Sequence, residues 1–285
     1  EGWACALGSV RSLTPEDVDR DITIRGERIT AVIAPAAEKP EQTDESDRAD
    51  RAVLGGERVL VSAILEQLES SEPPSVELLS RTDPGAEPDR VVLLTGERIE
   101  ADNTAGRLVV PQSGRLLVSD RRLEEGSADR ENAAARGSAL FDWDGSMLLD
   151  RRAGNATMLE RVRLIHTPQG EERREIELEC ERLVTLFDAD ENAELLGDTA
   201  ADAEIGPVTA FGAVWARSGG QQMLADTINY EPSTGVANAS AAESGWVTLF
   251  DPARSQAVTA EQLLWSVDTG RIEVIRPTPV EVPNQ

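Results

Sequence analysis

The sequence predicts an all-β protein whose antiparallel strands form a stacked, rolled or V-shaped sheet. Two observations predict it. First, a strand-and-turn pattern recurs: Ala225-Asp226-Thr227-Ile228 has a glycine ten residues after its alanine (Gly235), and Ala260-Glu261-Gln262-Leu263 has Gly270 in the same place. Each copy runs through an aromatic (Tyr230, Trp265) to a Thr-Gly turn (Thr234-Gly235, Thr269-Gly270), as a strand entering a tight turn does. Degenerate copies sit at Cys180-Glu181-Arg182-Leu183, with Asp190 at the glycine position, and at Ala101-Asp102 with Gly106. Second, Gly26-Glu27-Arg28-Ile29, Gly56-Glu57-Arg58-Val59 and Gly96-Glu97-Arg98-Ile99 each launch an apolar-alternating run. Strand-turn units repeated in this way bury their apolar faces by stacking or rolling together.

The elements follow in order. Asp21 to Ala34 reads as two short strands around Gly26, and Pro35 to Asp50 as an acidic, flexible loop. Arg58 to Leu68 fits a strand better than a helix, because Val59, Val61 and Ala63 alternate and the Gly-Glu-Arg start matches the other copies. Ser70 to Asp89 carries four prolines and reads as loop with one edge strand about Val76 to Leu79. Strands are then expected at Val91 to Leu94, Arg98 to Asp102, Arg107 to Val110 and Arg115 to Ser119, followed by a polar loop over Glu124 to Ala134. Ala139 to Trp143 and Met147 to Leu149 flank Gly145 as a hairpin. Thr157 to Ile165 and Glu175 to Phe187 flank the turn at Pro168-Gln169-Gly170, and Asp188 to Gly206 is an acidic loop or a short helix. The last section turns at Ser218-Gly219-Gly220, Ser233-Thr234-Gly235 and Asp268-Thr269-Gly270, giving strands at Val208 to Ala216, Gln222 to Tyr230, Val236 to Ala242, Gly245 to Phe250, Ala257 to Val267 and Arg271 to Ile275. The organisation expected is an N-terminal segment of strands and acidic loops over 1–90, degenerate repeats over 91–207, and the clearest hairpins over 208–285.

The 285 residues can bury a sizeable core. The formal charge is −25, from 53 acids against 28 bases, and all of those bases but Lys39 are arginine. A surface this acidic repels phosphate backbones, so no nucleic-acid partner is expected. No stretch approaches eighteen consecutive apolar residues, so no transmembrane helix is expected. No signal peptide is visible and Glu1 stands where an initiator methionine would, as expected of a processed chain or a fragment. Cys5 and Cys180 could form a disulfide or stay thiols; the alternation Ile176, Leu178, Cys180 places Cys180 on an apolar face.

Residues that could carry chemistry are few. His166 is the single histidine, on the Val162 and Leu164 side of a strand end, where a buried structural role fits better than base catalysis. One histidine and two distant cysteines do not supply a zinc site. Asp188-Ala189-Asp190-Glu191-Asn192 resembles the start of a calcium loop, yet Ala193 replaces the turn glycine and Thr199 the bidentate glutamate. No catalytic residues, metal or cofactor are therefore expected. What remains is apolar surface. By alternation the inward positions expected are Phe141, Trp143, Phe211, Trp215, Ile228, Tyr230, Val247, Leu249, Leu263 and Trp265, which either fill a core or line a groove for something greasy.

The run Gly212-Ala213-Val214-Trp215-Ala216-Arg217, a turn, then Met223-Leu224-Ala225-Asp226-Thr227-Ile228-Asn229-Tyr230 ending in Thr234-Gly235 resembles the repeat of the OstA-like / LptA-like lipopolysaccharide-transport proteins. Gln256 to Leu263 with Gly270 looks like the next copy. The resemblance is clearest over 208–275 and weaker over 91–187. It implies an open β-jellyroll of the bacterial periplasm that shields the acyl chains of lipopolysaccharide or a similar lipid and joins related β-jellyroll proteins by edge-strand addition. It brings no catalytic residues; Arg217 and Arg271 are the head-group rim it suggests. Two departures are the length of the chain and its acidity, which opposes a phosphorylated lipid. The alternatives are a structural β-solenoid or surface-assembly module with a solid core, and a carbohydrate-active β-sandwich enzyme using two acids.

Overall fold

A computed structural model describes residues 9–13, 19–35, 58–68, 72–81, 87–121, 137–170, 173–187, 206–242, 245–252 and 257–277. The chain is all-β, antiparallel and jellyroll-like, and the described residues include no helix. Its strands are β1 (Ser9–Leu13), β2 (Asp19–Arg25), β3 (Arg28–Pro35), β4 (Arg58–Glu66), β5 (Ser75–Arg81), β6 (Arg90–Gly96), β7 (Arg98–Asp102), β8 (Arg107–Val110), β9 (Gly114–Asp120), β10 (Gly137–Trp143), β11 (Met147–Asp150), β12 (Asn155–Pro168), β13 (Ile176–Leu186), β14 (Val208–Ser218), β15 (Gln221–Glu231), β16 (Val236–Ser240), β17 (Val247–Phe250), β18 (Val258–Ser266) and β19 (Arg271–Pro277). The acidic loops expected over Pro35 to Asp50, Glu124 to Ala134 and Asp188 to Gly206 lie wholly or almost wholly outside the described residues, as do the calcium-like segment and Cys5.

The strands pack as two compact units, one of β1–β9 with β11, the other of β10 with β12–β19. The boundaries expected at 90/91 and 207/208 are instead bridged by ladders, β5 with β6 and β13 with β14. Backbone pairing decides the division, and it runs across both changes in sequence character.

In the first unit two antiparallel ladders run β1-β2-β5-β6-β9 and β3-β4-β7-β8-β11. The chain lays its strands on them two at a time, crossing from one ladder to the other after β2, β4, β6 and β8. The Gly-Glu-Arg echo marks two of these crossings, at Gly26-Glu27 and Gly96-Glu97. Its arginines meet across the second ladder: Arg28, Glu66 and Arg98 stand in one row, with Arg28 Nε 2.6 Å and Arg98 Nη1 2.5 Å from the Glu66 carboxylate. Inward rows are apolar, with Leu65, Ile99 and Val110 fully buried.

Two sequence expectations fail here. The proline-flanked segment forms β5, which is not an edge strand; it pairs with β2 on one side and β6 on the other, because its prolines lie outside the ladder. The hairpin expected from Ala139 to Leu149 does not form, since β10 pairs with β12 and β11 pairs with β8. The turn residues are engaged elsewhere: the Asp144 and Gly145 amides donate to the Glu160 and Leu159 carbonyls.

The second unit is one continuous ladder, β10-β12-β13-β14-β15, after which β16 and β17 share the two halves of β15, both pair with β18, and β19 follows. It bends at aligned irregularities: Glu160-Arg161 in β12 and Gly212-Ala213 in β14 each insert an extra residue against their neighbours. Both pairs have positive φ (66° and 46°, 79° and 45°). Bulges of this kind sharpen local twist and curl a sheet onto its apolar face. His166 on β12 consequently reaches Tyr230 on β15, three rungs away in the ladder.

The crossing at Gly96 has no space for a side chain, because an added Cβ would meet Val110 Cγ1 at 2.5 Å. Gly96→Ala is expected to lower unfolding free energy by about 1–3 kcal/mol through overpacking, read by urea titration against wild type; an unchanged midpoint would contradict the close approach.

Candidate functional site

The interior of the second unit collects most of the inward residues expected from the sequence. Phe141, Trp143, Ile228, Tyr230, Val247, Leu249, Leu263 and Trp265 are each at most 2% exposed. Between them the wall is made of small side chains: Ala139, Ala210, Ala216, Ala237, Ala239 and Ala260 are all fully buried. Cys180 joins this face as a buried thiol, its pKa pushed up to about 12 by burial.

Phe211 and Trp215 are not part of that interior. They lie on the outer face of β14, opposite in direction to Ala210, Val214 and Ala216. Trp215 keeps the register of the Gly219-Gly220 turn, opposite outward Leu224, and so faces out with it; for Phe211 the extra residue at Gly212-Ala213 shifts the pairing. A register counted straight from the Gly219-Gly220 turn sets Phe211 opposite Ile228, whereas the bulge moves Ala210 there. Outside, each ring takes a guanidinium from a neighbour on the same face: Arg182 lies 4.2 Å from the Phe211 centroid, and Arg217 lies 5.7 Å from that of Trp215. Arg217, expected at a head-group rim, is on this outer face with its side chain half exposed. It pairs at 2.5 Å with the Glu177 carboxylate, which Arg163 holds from the other side with its Nε at 2.7 Å. The same outer face gathers Leu224 (53% exposed), Trp246 (47%) and Phe250 (48%), since Trp215 is in register with Leu224, and Leu224 with Thr248 between the two aromatics.

One end of the unit carries polar groups that sequence reasoning missed. Gln221, the first residue of β15, accepts from Trp265 Nε1 at 2.9 Å and donates to the Gly270 carbonyl at 3.1 Å and to Asp251 Oδ2 at 3.0 Å. Arg173, in the β12–β13 turn, binds Asp268 in the β18–β19 turn at 2.8 Å, and the Arg174 amide donates to the same carboxylate at 3.2 Å. Arg271, exposed, starts β19 just beyond that turn. The sequence signal for Asp268 was present in the Asp-Thr-Gly turn; nothing in Arg173-Arg174 marked them as its partners across 95 residues.

Next to this end lies the buried pair His166 and Tyr230, with Nδ1 3.0 Å from the phenol oxygen. His166 is fully buried, and among the described residues its Nε2 has no hydrogen-bond partner. Burial, with help from the Arg173 charge, pushes its pKa down to about 4; burial, then Asp268, raises that of Tyr230. No group of three His, Cys, Asp or Glu side chains that could hold a metal ion occurs among the described residues. No protein-family model and no curated protein matches the chain.

Because His166 is held neutral in the folded protein and titrates near 6.5 when unfolded, the unfolded chain binds the extra proton between those values. Stability is expected to fall as pH drops from about 6.5 towards 4, by about 3 kcal/mol over the window from this group. Comparing urea midpoints of wild type and His166→Asn across that range separates it from the carboxylates, and identical pH slopes would refute it.

Proposed function

We propose that the chain is a non-enzymatic scaffold of the bacterial cell envelope, acting in the periplasm, that shields the acyl chains of lipopolysaccharide or a similar lipid inside a rolled antiparallel sheet. The observation that carries this reading is the one-sidedness of the second unit. The strands β10 and β12 to β18 turn mainly apolar or small side chains inward, with His166 and Gln221 as buried polar exceptions, while most of their acids and arginines face out. Such an interior suits a chain of methylenes, whose burial contributes about 0.8 kcal/mol per CH₂ without any specific polar contact. Arg173, Arg174 and Arg271 at one end supply cations for an anionic head group, against the −25 charge of the whole. The ladder of this unit ends at β19, where Val274 and Ile275 are 43% and 42% exposed, and strand addition there would join a related module.

A second reading is an assembly module with a solid core. Two observations favour it: the inward aromatics are already at most 2% exposed, and Leu224, Trp246 and Phe250 form an apolar outer patch of the kind that marks protein contacts. Photo-reactive residues placed at Ile228 and Leu263 inside, and at Phe211 outside, distinguish the two. With delipidated protein and lipopolysaccharide, the shielding reading expects crosslinks from the inner positions and few from Phe211. Crosslinks absent inside, together with self-association that Phe250→Glu abolishes in sedimentation equilibrium, would establish the second reading in its place.

A further inference from the structure

We infer that His166 is a hydrogen-bonding anchor inside the second unit for an oxygen function carried on an acyl chain, a hydroxyl or an ester carbonyl, so that the unit selects oxygenated fatty acyl chains over plain ones. The inference rests on the acyl-shielding reading and gives it a substrate class.

The first observation is the orphaned nitrogen. His166 is fully buried, Tyr230 satisfies Nδ1, and no described residue pairs with Nε2. A buried polar atom left unpaired is costly, and such atoms are few in native proteins, so each one asks for a partner. The two preceding inward residues of the same strand, Val162 and Leu164, show what an apolar wall uses at these positions. A third aliphatic would close that row without the penalty.

The second observation is direction and surroundings. His166 continues the inward row of β12, and its partner Tyr230 comes from β15, so the pair reaches across the interior between strands that are not neighbours. Its surroundings along the ladders are small. Ala139 is the register partner of His166 on β10, Ala237 is that of Tyr230 on β16, and Ala210 and Ala239 flank Ile228 on either side. All four alanines are fully buried. A wall of methyl groups around one unpaired ring nitrogen is apolar enough for an alkyl chain and has one place where an oxygen is better than a methylene.

The third observation is position. Arg173, whose charge acts on His166, closes the adjacent end with Asp268, and the side chains of that pair are 23% and 18% exposed. Parting one ion pair near the surface is a small barrier to entry. A head group held by the arginines of that end leaves the first carbons of its acyl chain beside the histidine. Either tautomer serves. If the Tyr230 hydroxyl donates to Nδ1, Nε2–H donates to a carbonyl or hydroxyl oxygen; if Nδ1–H donates to the phenol, Nε2 accepts from a hydroxyl.

The probes are dodecanoic acid and its β-hydroxy derivative, measured by displacement of a fluorescent fatty acid from the delipidated chain at neutral pH. Wild type is expected to bind the hydroxy acid about tenfold more tightly, the range of one hydrogen bond to a group otherwise unpaired. His166→Leu is expected to lose the preference for the hydroxy acid. In wild type, the Nε2 nitrogen resonance of His166 should shift with the hydroxy acid and stay in place with the plain one, a readout that needs no folded variant. Equal affinity of wild type for the two acids, a preference that survives in His166→Leu, or an Nε2 resonance indifferent to saturating hydroxy acid would each overturn the role of His166 while leaving acyl shielding intact. Binding of neither acid would instead remove the shielding reading, and this inference with it.

Discussion

A sheet with one apolar face, and no helix among the described residues to cover it, has to cover itself, and the rest of this structure depends on that constraint. In the second unit it is met by curvature. The extra residues at Glu160-Arg161 and Gly212-Ala213 turn two strands at the same level of the ladder, so β12 and β15 face each other although β13 and β14 lie between them. Three of those four residues are not glycine, and holding them at positive φ costs free energy that the burial of the curled face offsets. The first unit meets the same constraint by crossing. Its chain steps between two ladders after every second strand, and the steps are short because Gly26 and Gly96 stand where a side chain would obstruct them or add nothing.

The fold was largely legible because alternation with a period of two is a backbone property, visible wherever turn residues bound it. Almost every strand from Val91 onward starts and stops within a residue or two of where glycine and proline place it. What the alternation could not reveal was pairing. Gly145 looks like a hairpin turn, and the strands on either side take different partners, because the amides at 144 and 145 bind the bulge of β12. The inward residues were legible to the same extent. Eight of the ten expected positions are buried, and the two that are not, Phe211 and Trp215, sit on the strand where the bulge shifts register. Hydrophobic size misleads at that strand: its inward residues are Ala210, Val214 and Ala216, and its aromatics are outside, each with a guanidinium beside its ring.

The polar end of the second unit shows the limit of sequence reading from another side. Asp268 and Arg173 are 95 residues apart, and Gln221 contacts Trp265 and Asp251 from the opposite side of a glycine turn. Trp265 and Asp268 belong to the repeat and its turn, but their partners Gln221, Asp251 and Arg173 belong to no motif, and the roll brings them together. His166 was legible as an inward, buried histidine. Its one-sided bonding was not, since that depends on which side chain arrives from three strands away.

The outer and inner faces of the second unit are held together by different interactions, which bears on the shielding role proposed above. The outer face over β12 to β14 is braced by Glu177 between Arg163 and Arg217, and by arginines over Phe211 and Trp215. Arginine suits this role because its planar fork binds a carboxylate while its face lies on a ring, two tasks that an ammonium performs poorly. This accounts for the use of arginine on that face, whatever the reason for the near-absence of lysine elsewhere. The interior has no such bracing. Its contacts are mostly between aliphatic, alanine and aromatic side chains, with two buried hydrogen bonds, His166 to Tyr230 and Trp265 to Gln221. In the shielding role proposed above, a wall braced on the outside and apolar on the inside would keep its curvature while an acyl chain entered or left.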